Sequence, residues 1–396
     1  MLNIPDLSGG GGAERFFADF YEKYQQQANP AYNLFFITDE SASNLQKINK
    51  LLNFQSNIIY FRDYRFAFFN HFTDKIPFIK QAANIVREFY SFLQLKKVII
   101  RNNIKLVHIA SYTGSHYFFI KLLSQLKPKP KLVLNIVDCR IPKWYFKKDV
   151  PDTYKGASAF NFAHLFSTIK LDGVFSWYKN FISFAEEHHL IPGQPHYQAI
   201  ESRFTLLEHT QVKNKKKNHI IFAGRLDEQK QPLLFLEAIY QVIQLTPNLL
   251  DGWQVMIFGK GPLKEACLEF IENNQLQNRV QMMESNHLAP YFLESKLFIS
   301  TQDYENFPSL SMAEAMACGN AIIARNVGQT NYFLEDNLNG LMAKEDGTDL
   351  AKKIQEYISS PELHERFSKH SQDLIKNKHN VANFITQIDA FWKQFI

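Results

Sequence analysis

Cysteine is scarce in this chain. There are three, Cys139, Cys267 and Cys318, and no two stand in a CxxC spacing. That leaves no basis for a disulfide framework or a zinc knuckle, and it fits a reducing compartment. Long apolar runs are also missing, none approaching the roughly 20 residues a bilayer span needs. The N-terminus lacks a basic region followed by an apolar core, so no signal peptide is expected. Strong charge of one sign is absent as well: the net charge is +5, the pI about 8.8, and the basic residues fall in short runs such as Lys213, Lys215, Lys216 and Lys217. That excess is too small for a nucleic-acid binder, and the lysine run reads as a solvated linker. Together these absences predict a cytoplasmic chain whose membrane contact, if any, is peripheral.

What is present is a globular balance: 45% hydrophobic and 21% charged residues over 396 positions, enough for two domains each with its own core. Phenylalanine occurs 36 times, which suits either a Phe-rich core or an apolar surface for a lipid-linked partner.

Apolar runs alternate with helical periodicity along both halves. In the first half, strands are expected at 33–38, 57–62, 106–110 and 132–137, with helices at 13–26, 78–95 and 116–126. The run 4–7 is a short first strand, which suggests a trimmed or weakly paired edge. Residues 142–210 resist assignment. They include the aromatic and basic stretch Lys143 to Lys148, which could rest on an anionic membrane surface. A second alternating series begins at His219. Such alternation predicts parallel sheets covered by helices on both faces, with ligands at the carboxyl ends of the strands.

Four segments carry chemistry. The first runs from Tyr304 to Gly319 and reads Tyr-Glu-Asn-Phe-Pro-Ser-Leu-Ser-Met-Ala-Glu-Ala-Met-Ala-Cys-Gly. Pro308 suits a first helical turn and Gly319 a C-terminal cap, so the helix start near Ser309 would offer N–H groups to an anion. Glu305 and Glu314 can accept hydrogen bonds from sugar hydroxyls, or can equally be a loop acid and a helical acid. The second is Phe222 to Lys230, where Gly224 permits close backbone approach and Arg225 and Lys230 suit phosphate oxygens. The third is Gly9 to Arg15, a glycine loop between strand and helix that matches neither a Walker A nor a dinucleotide fingerprint. The fourth is the turn Gly259 to Pro262. Two further polar groups sit at strand ends: His108 with Ser111, and Asp138.

Taken in order, these segments resemble the family-four group of retaining GT-B glycosyltransferases. The resemblance spans nearly the whole chain and is most specific from Gly224 to Gly340. It rests on Gly224, Arg225, Leu226 and Lys230 (GRL-xxx-K), on Gly259 to Pro262 (G-x-GP), and on Glu314 to Gly319 (EAMACG). It rests further on Val327, Gly328, Thr330, Asn339 and Gly340, and on Gly11 to Arg15 (GGAER). Two departures stand out. The family's two glutamates are eight residues apart, whereas Glu305 and Glu314 are nine apart, so either the loop holds one extra residue or Asn306 takes the sugar contact. The family's His-Asp pair reads Val137-Asp138, so Asp138 stands in for the histidine in the acceptor cleft.

The resemblance implies two Rossmann-like domains facing a cleft. An acceptor domain would cover 1–205, a donor domain 206–380, and a last helix, 381–396, would cross back to the first. Arg225 and Lys230 would neutralise the donor diphosphate, and Glu314 would bind the ribose. Glu305 with the Asn306, Phe307 and Pro308 backbone would hold sugar and phosphates, Gly224 and Gly259 would let the donor approach, and Gly11 and Gly12 would close over it. The implied partners are a nucleotide-sugar and a saccharide or lipid-linked acceptor of cell-surface polysaccharide synthesis, at the inner face of the membrane, with no cofactor, no metal and no nucleic acid. A same-fold epimerase or phosphorylase, or a non-catalytic binding module, are the alternative expectations.

Overall fold

The computed structural model of the chain describes residues 2–3, 12–39, 58–61, 77–110, 117–136, 165–207, 215–285, 287–344 and 346–396. The chain divides into two compact units, residues 1–200 with 385–396, and residues 201–384.

Unit 1 holds a seven-stranded parallel sheet. Its strands are β1 (Leu2–Asn3), β2 (Phe36–Asp39), β3 (Ile58–Phe61), β4 (Leu106–Ile109), β5 (Lys131–Ile136), β6 (Gly173–Ser176) and β7 (His196–Ala199), in spatial order β3-β2-β1-β4-β5-β6-β7. Its helices are α1 (Gly12–Gln25), α2 (Pro77–Arg101), α3 (Tyr117–Ser124) and α4 (Lys179–Glu187). Strands β4, β5 and β6 are buried almost end to end, as parallel strands covered on both faces must be, while β7 at the edge is only half-buried. The run 4–7 lies outside the described residues, and the first described strand is β1 at 2–3. It is short, but it is central rather than an edge, with Leu2 paired to both Phe36 and His108. Helix α2 continues past the expected stop at 95 to Arg101, because Leu95 and Ile99 extend the buried stripe begun by Phe92. The unassigned 142–210 region contains β6, α4 and β7.

His108 on β4 is fully buried against Phe17, Phe175 and Trp392. Neither ring nitrogen has a hydrogen-bond partner among the described residues. Burial holds its pKa well below the usual histidine value, so it packs as a neutral core ring.

Unit 2 holds a six-stranded parallel sheet. Its strands are β8 (Lys217–Ala223), β9 (Gln254–Phe258), β10 (Val280–Met283), β11 (Ser295–Ser300), β12 (Ala321–Arg325) and β13 (Gly340–Ala343), in the order β10-β9-β8-β11-β12-β13. The helices are α5 (Pro232–Leu245), α6 (Lys264–Asn273), α7 (Ala289–Glu294), α8 (Leu310–Ala317), α9 (Gly347–Ser359) and α10 (Glu362–Asn377). A last helix, α11 (Val381–Trp392), leads into the C-terminal residues that cluster with unit 1. The local signals are conventional. Pro232 opens α5, where a missing N–H costs nothing, and the Asp346 carboxylate accepts from the Asp349 N–H at 2.7 Å to cap α9.

The lysine run before β8 is not simply a solvated linker. Lys216 is largely buried, and its Nζ donates to the carbonyls of Phe292 at 2.8 Å and Cys318 at 2.6 Å, the ends of two helical segments. Burial lowers its pKa to about 8.

Both sheets reverse direction of growth at one point, between β1 and β4 in unit 1 and between β8 and β11 in unit 2. In open α/β sheets this topological switch is where a crevice forms beyond the strands' carboxyl ends.

Candidate functional site

The carboxyl ends of β8 and β11 lie side by side, and they deliver two of the sequence segments to one place. β8 runs out at Ala223 into Gly224 and Arg225. β11 runs out at Ser300 into Thr301, Gln302 and Glu305.

The turn after β8 is organised by Asp227, which the sequence reading did not single out. Its Oδ1 accepts from the Lys230 N–H at 3.0 Å, and its Oδ2 pairs with an Arg225 guanidinium nitrogen at 3.0 Å. Its position between Arg225 and Lys230 was the available signal. Arg225 also donates to Gln229 at 3.3 Å, and its side chain is 69% exposed. Gly259 sits beside this turn because nothing larger fits: a Cβ there would lie 2.0 Å from the Gly224 carbonyl oxygen. A Cβ on Gly261 would lie 2.3 Å from the Leu226 oxygen. The G-x-G turn is therefore a close backbone crossing in unit 2.

Lys230 bridges the switch point. Its Nζ donates to Gln302 Oε1 at 2.8 Å, while Thr301 Oγ1 donates to the Lys230 carbonyl at 2.8 Å and the Asp303 N–H donates to the Gln229 carbonyl at 3.0 Å. Gln302 is itself pinned. The buried Arg325, at the end of β12, donates through one guanidinium nitrogen to the Thr301 and Gln302 carbonyls, both at 3.3 Å, and lies 3.7 Å from Asp303 Oδ1. Gln302 and Arg325 were missed by sequence reasoning, since neither belongs to a motif and only the adjacent strand ends bring them to Lys230.

Glu305 is 8% exposed, and its carboxylate closes over the backbone of two loops. Oε1 accepts from the N–H of Phe307 at 3.0 Å and of Gln329 at 2.7 Å. Burial raises its pKa to about 7, against the lowering effect of the Gln329, Phe307 and Asn306 N–H groups. Gly328, with φ +54°, covers the other oxygen: a Cβ there would stand 2.4 Å from Oε2. Asn306 is fully engaged. Its Oδ1 accepts from Ser300 Oγ at 2.6 Å, and its Nδ2 donates to the Arg325 carbonyl and Thr330 Oγ1, both at 2.8 Å. Its side chain thus ties β11, β12 and the 327–330 turn together. Phe307 is buried among Tyr332, Phe333 and His379.

Pro308 does not open the helix. It precedes Ser309, which is the cap, its Oγ accepting from the Met312 N–H at 3.4 Å, and α8 starts at Leu310. Gly319 adopts φ +73° one residue past the cap Cys318, the conformation that favours glycine. Glu314 lies within α8 and is 7% exposed. Gly224, Arg225, Lys230, Gly259, Glu305, Asn306, Phe307, Pro308 and Glu314 all lie in unit 2. Gly12 begins α1 of unit 1. Gly11, Asp138, Ser111 and the stretch Lys143 to Lys148 lie outside the described residues. No group of three or more metal-ligating side chains occurs among the described residues.

Residues 205–374 match the family described as Glycosyl transferases group 1. The C-terminal unit belongs to the group 1 glycosyltransferases. Among curated proteins, the chain is 25% identical over 191 residues to the poly(ribitol-phosphate) alpha-N-acetylglucosaminyltransferase of Staphylococcus aureus, covering 47% of this chain and 38% of that protein. It is 24% identical over 177 residues to the Escherichia coli UDP-Gal:alpha-D-GlcNAc-diphosphoundecaprenol alpha-1,3-galactosyltransferase, covering 44% and 45%. The chain thus spans less than half the length of these relatives. Solved structures agree along the whole length. A mutant of the S. aureus protein TarM in complex with fondaparinux, alpha-GlcNAc-glycerol and UDP superposes with a TM-score of 0.72 at 13% identity, covering 99% of both chains. An Anabaena protein solved with UDP and glucose gives 0.66 at 15%, again covering 99% of both. At such identity the likeness establishes the fold, two Rossmann-like units of the GT-B kind.

Proposed function

We propose that the chain is a retaining transferase that moves a hexose from a nucleoside diphosphate sugar, with uridine as the base, to a hydroxyl of a saccharide or lipid-linked saccharide in cell-surface polysaccharide synthesis. The observation that carries this reading is the meeting of the Arg225–Lys230 turn with the Gln302–Glu305 loop at the switch point of unit 2. The uridine choice draws on neighbours solved with UDP. The acceptor class draws on relatives whose names specify diphosphoundecaprenol-linked sugars.

In the reaction, the bond between the sugar's anomeric carbon and the diphosphate oxygen breaks, and negative charge collects on the departing phosphate. Arg225 and Lys230 meet that charge with preplaced cations, so no solvent has to reorganise as it develops. The acceptor oxygen bonds to the anomeric carbon on the face the phosphate leaves, and its proton passes to the leaving phosphate oxygen. The scheme takes its charge stabilisation from these side chains and needs no metal. Glu314 receives the ribose hydroxyls, and Asp138 is the candidate on the acceptor side.

The test is thermal shift in EDTA with UDP, GDP and their sugars, on the natural chain and on Arg225→Ala and Lys230→Ala, followed by NMR of the product. Stabilisation by UDP that weakens by about tenfold in affinity in either variant is expected, the scale of one charged hydrogen bond. The product is expected to keep the donor's anomeric configuration. Conversion without acceptor would make the chain an epimerase, and dependence on free phosphate a phosphorylase. Donor binding with no turnover on any acceptor would leave a binding module.

A further inference from the structure

Helix α2 has two apolar faces, and only one of them is used by the core. Phe92, Leu95 and Ile99 are buried beneath it against unit 1. On the opposite side Val86 is 60% exposed, Phe89 45%, Tyr90 40%, Leu93 38% and Ile100 60%. These are five of the ten large apolar side chains that stand exposed among the described residues; the other five, Leu206, Leu245, Leu268, Leu338 and Ile396, are scattered. At about 100° per residue the five on α2 fall within an arc roughly 100° wide, centred about 135° round the helix from the buried stripe. An ordinary surface helix carries polar residues there, and a gathered apolar patch marks something that covers it.

The charges decide what covers it. Lys96, Lys97 and Arg101 are exposed on the last turns of the same face, and Lys105 follows. In its sequence α2 carries Lys80, Arg87, Lys96, Lys97 and Arg101 against one acid, Glu88. Among the described exposed residues of the helix there is no carboxylate to pair these cations. A second copy of the chain would bring the same apolar and cationic surface to the contact, with no opposite charge from α2 itself. An anionic bilayer surface supplies both requirements: acyl chains for Phe89, Leu93 and Ile100 at the headgroup boundary, and negative charge for the lysines. No helix among the described residues is long and apolar enough to cross a membrane, so such a contact would lie in the interface plane.

We propose that the outer face of α2 is a docking surface for an anionic lipid bilayer, with Phe89, Leu93 and Ile100 entering the interface and Lys96, Lys97 and Arg101 holding the headgroups. The inference needs no donor, no acceptor and no turnover, so it stands or falls apart from the transferase reading.

The experiment is co-sedimentation of the full chain with phosphatidylcholine vesicles, with and without phosphatidylglycerol, at low and high salt. Binding to the anionic vesicles alone is expected, falling with salt. It should drop about tenfold in the double variant Phe89→Ser/Leu93→Ser and in Lys96→Glu/Lys97→Glu, the latter through electrostatics alone. Leu268→Ser, which removes an exposed leucine of unit 2, should bind as the natural chain does. Unchanged melting temperatures would confirm that the variants fold; if the serine variant does not, the charge-reversal variant on exposed lysines carries the test. Three outcomes would overturn the proposal: no binding to anionic vesicles, equal binding to neutral ones, or binding untouched by both variants. Sedimentation velocity showing a dimer that Phe89→Ser/Leu93→Ser dissolves, with no vesicle binding, would assign the face to a second copy instead.

Discussion

The ammonium of Lys230 is held by the carboxamide of Gln302 at 2.8 Å, across 72 residues of sequence and between two adjacent strand ends. The partner's chemistry matters. A carboxamide oxygen orients the lysine head group without bringing a negative charge to it, whereas a carboxylate in that place would pair with it. The Gln302 backbone is in turn fixed by Arg325, so the acceptor is preset.

Gln302→Glu should therefore weaken UDP binding by about tenfold, roughly 1.4 kcal/mol, while leaving uridine binding unchanged. Gln302→Ala should lose less than Gln302→Glu, since the charge survives and only its positioning is lost. Calorimetry with UDP and uridine on both variants checks this. Equal loss for uridine would mean that the substitution merely disturbs the fold.

Glu305 makes stability depend on pH in an unusual direction for a carboxylate. Its folded pKa is raised to about 7 by burial, above the unfolded value of about 4.5. A raised pKa means the native state holds the proton more tightly. Its stabilising contribution is thus complete below about pH 4.5 and is lost as pH rises through 7. Over that window the natural chain should lose roughly 3 kcal/mol that Glu305→Gln does not lose. Melting curves of both proteins from pH 5 to about 8 measure it. Parallel pH profiles would refute the assignment.

Gly328→Ala should destabilise by about 1–3 kcal/mol, because φ +54° is strained for any side chain and the added Cβ would meet Glu305 2.4 Å away. The double variant Gly328→Ala/Glu305→Ala removes the contact with the carboxylate, leaving the Tyr304 carbonyl oxygen 2.7 Å from the added Cβ, and should recover part of that loss. A denaturant titration of the two variants reads the difference, and no recovery would show that backbone strain and the Tyr304 carbonyl account for the loss.

Much of unit 2 was legible in the residues. The alternating series expected from His219 onward is present as a parallel sheet with helices between its strands, because strongly patterned apolar positions leave little choice. β13 and α10 were not foreseen: β13 is four residues long, and α10 is rich in charge. In unit 1 the sequence suggests a short first strand at 4–7 with a trimmed or weakly paired edge, whereas the first described strand is the central β1 at 2–3, since a pattern cannot locate a short strand among its neighbours. Pro308 was assigned to the first turn because proline is favoured there, but Ser309, which can accept from the Met312 N–H, takes the cap and starts the helix beyond it.

The site divides the same way. Arg225, Lys230, Glu305 and Glu314 are candidates from residue type and position, but spacing alone leaves them equally readable as surface cations and ordinary acids, and their expected roles come from the resemblance to the family-four glycosyltransferases. Whether Asn306 or Glu305 faces outward could not be read from a nine-residue interval. The tertiary structure commits every polar atom of the Asn306 side chain to Ser300, Arg325 and Thr330, and folds the Glu305 carboxylate onto the N–H groups of Phe307 and Gln329. Sequence by itself determined which groups carry charge and where strands end. Only the folded chain decided that β8 and β11 are neighbours, so that Gln302 meets Lys230, and that one face of α2 carries exposed apolar side chains. The reason is physical: hydrophobic periodicity acts within a segment, whereas strand order and side-chain partnership are set by packing between segments far apart in the chain.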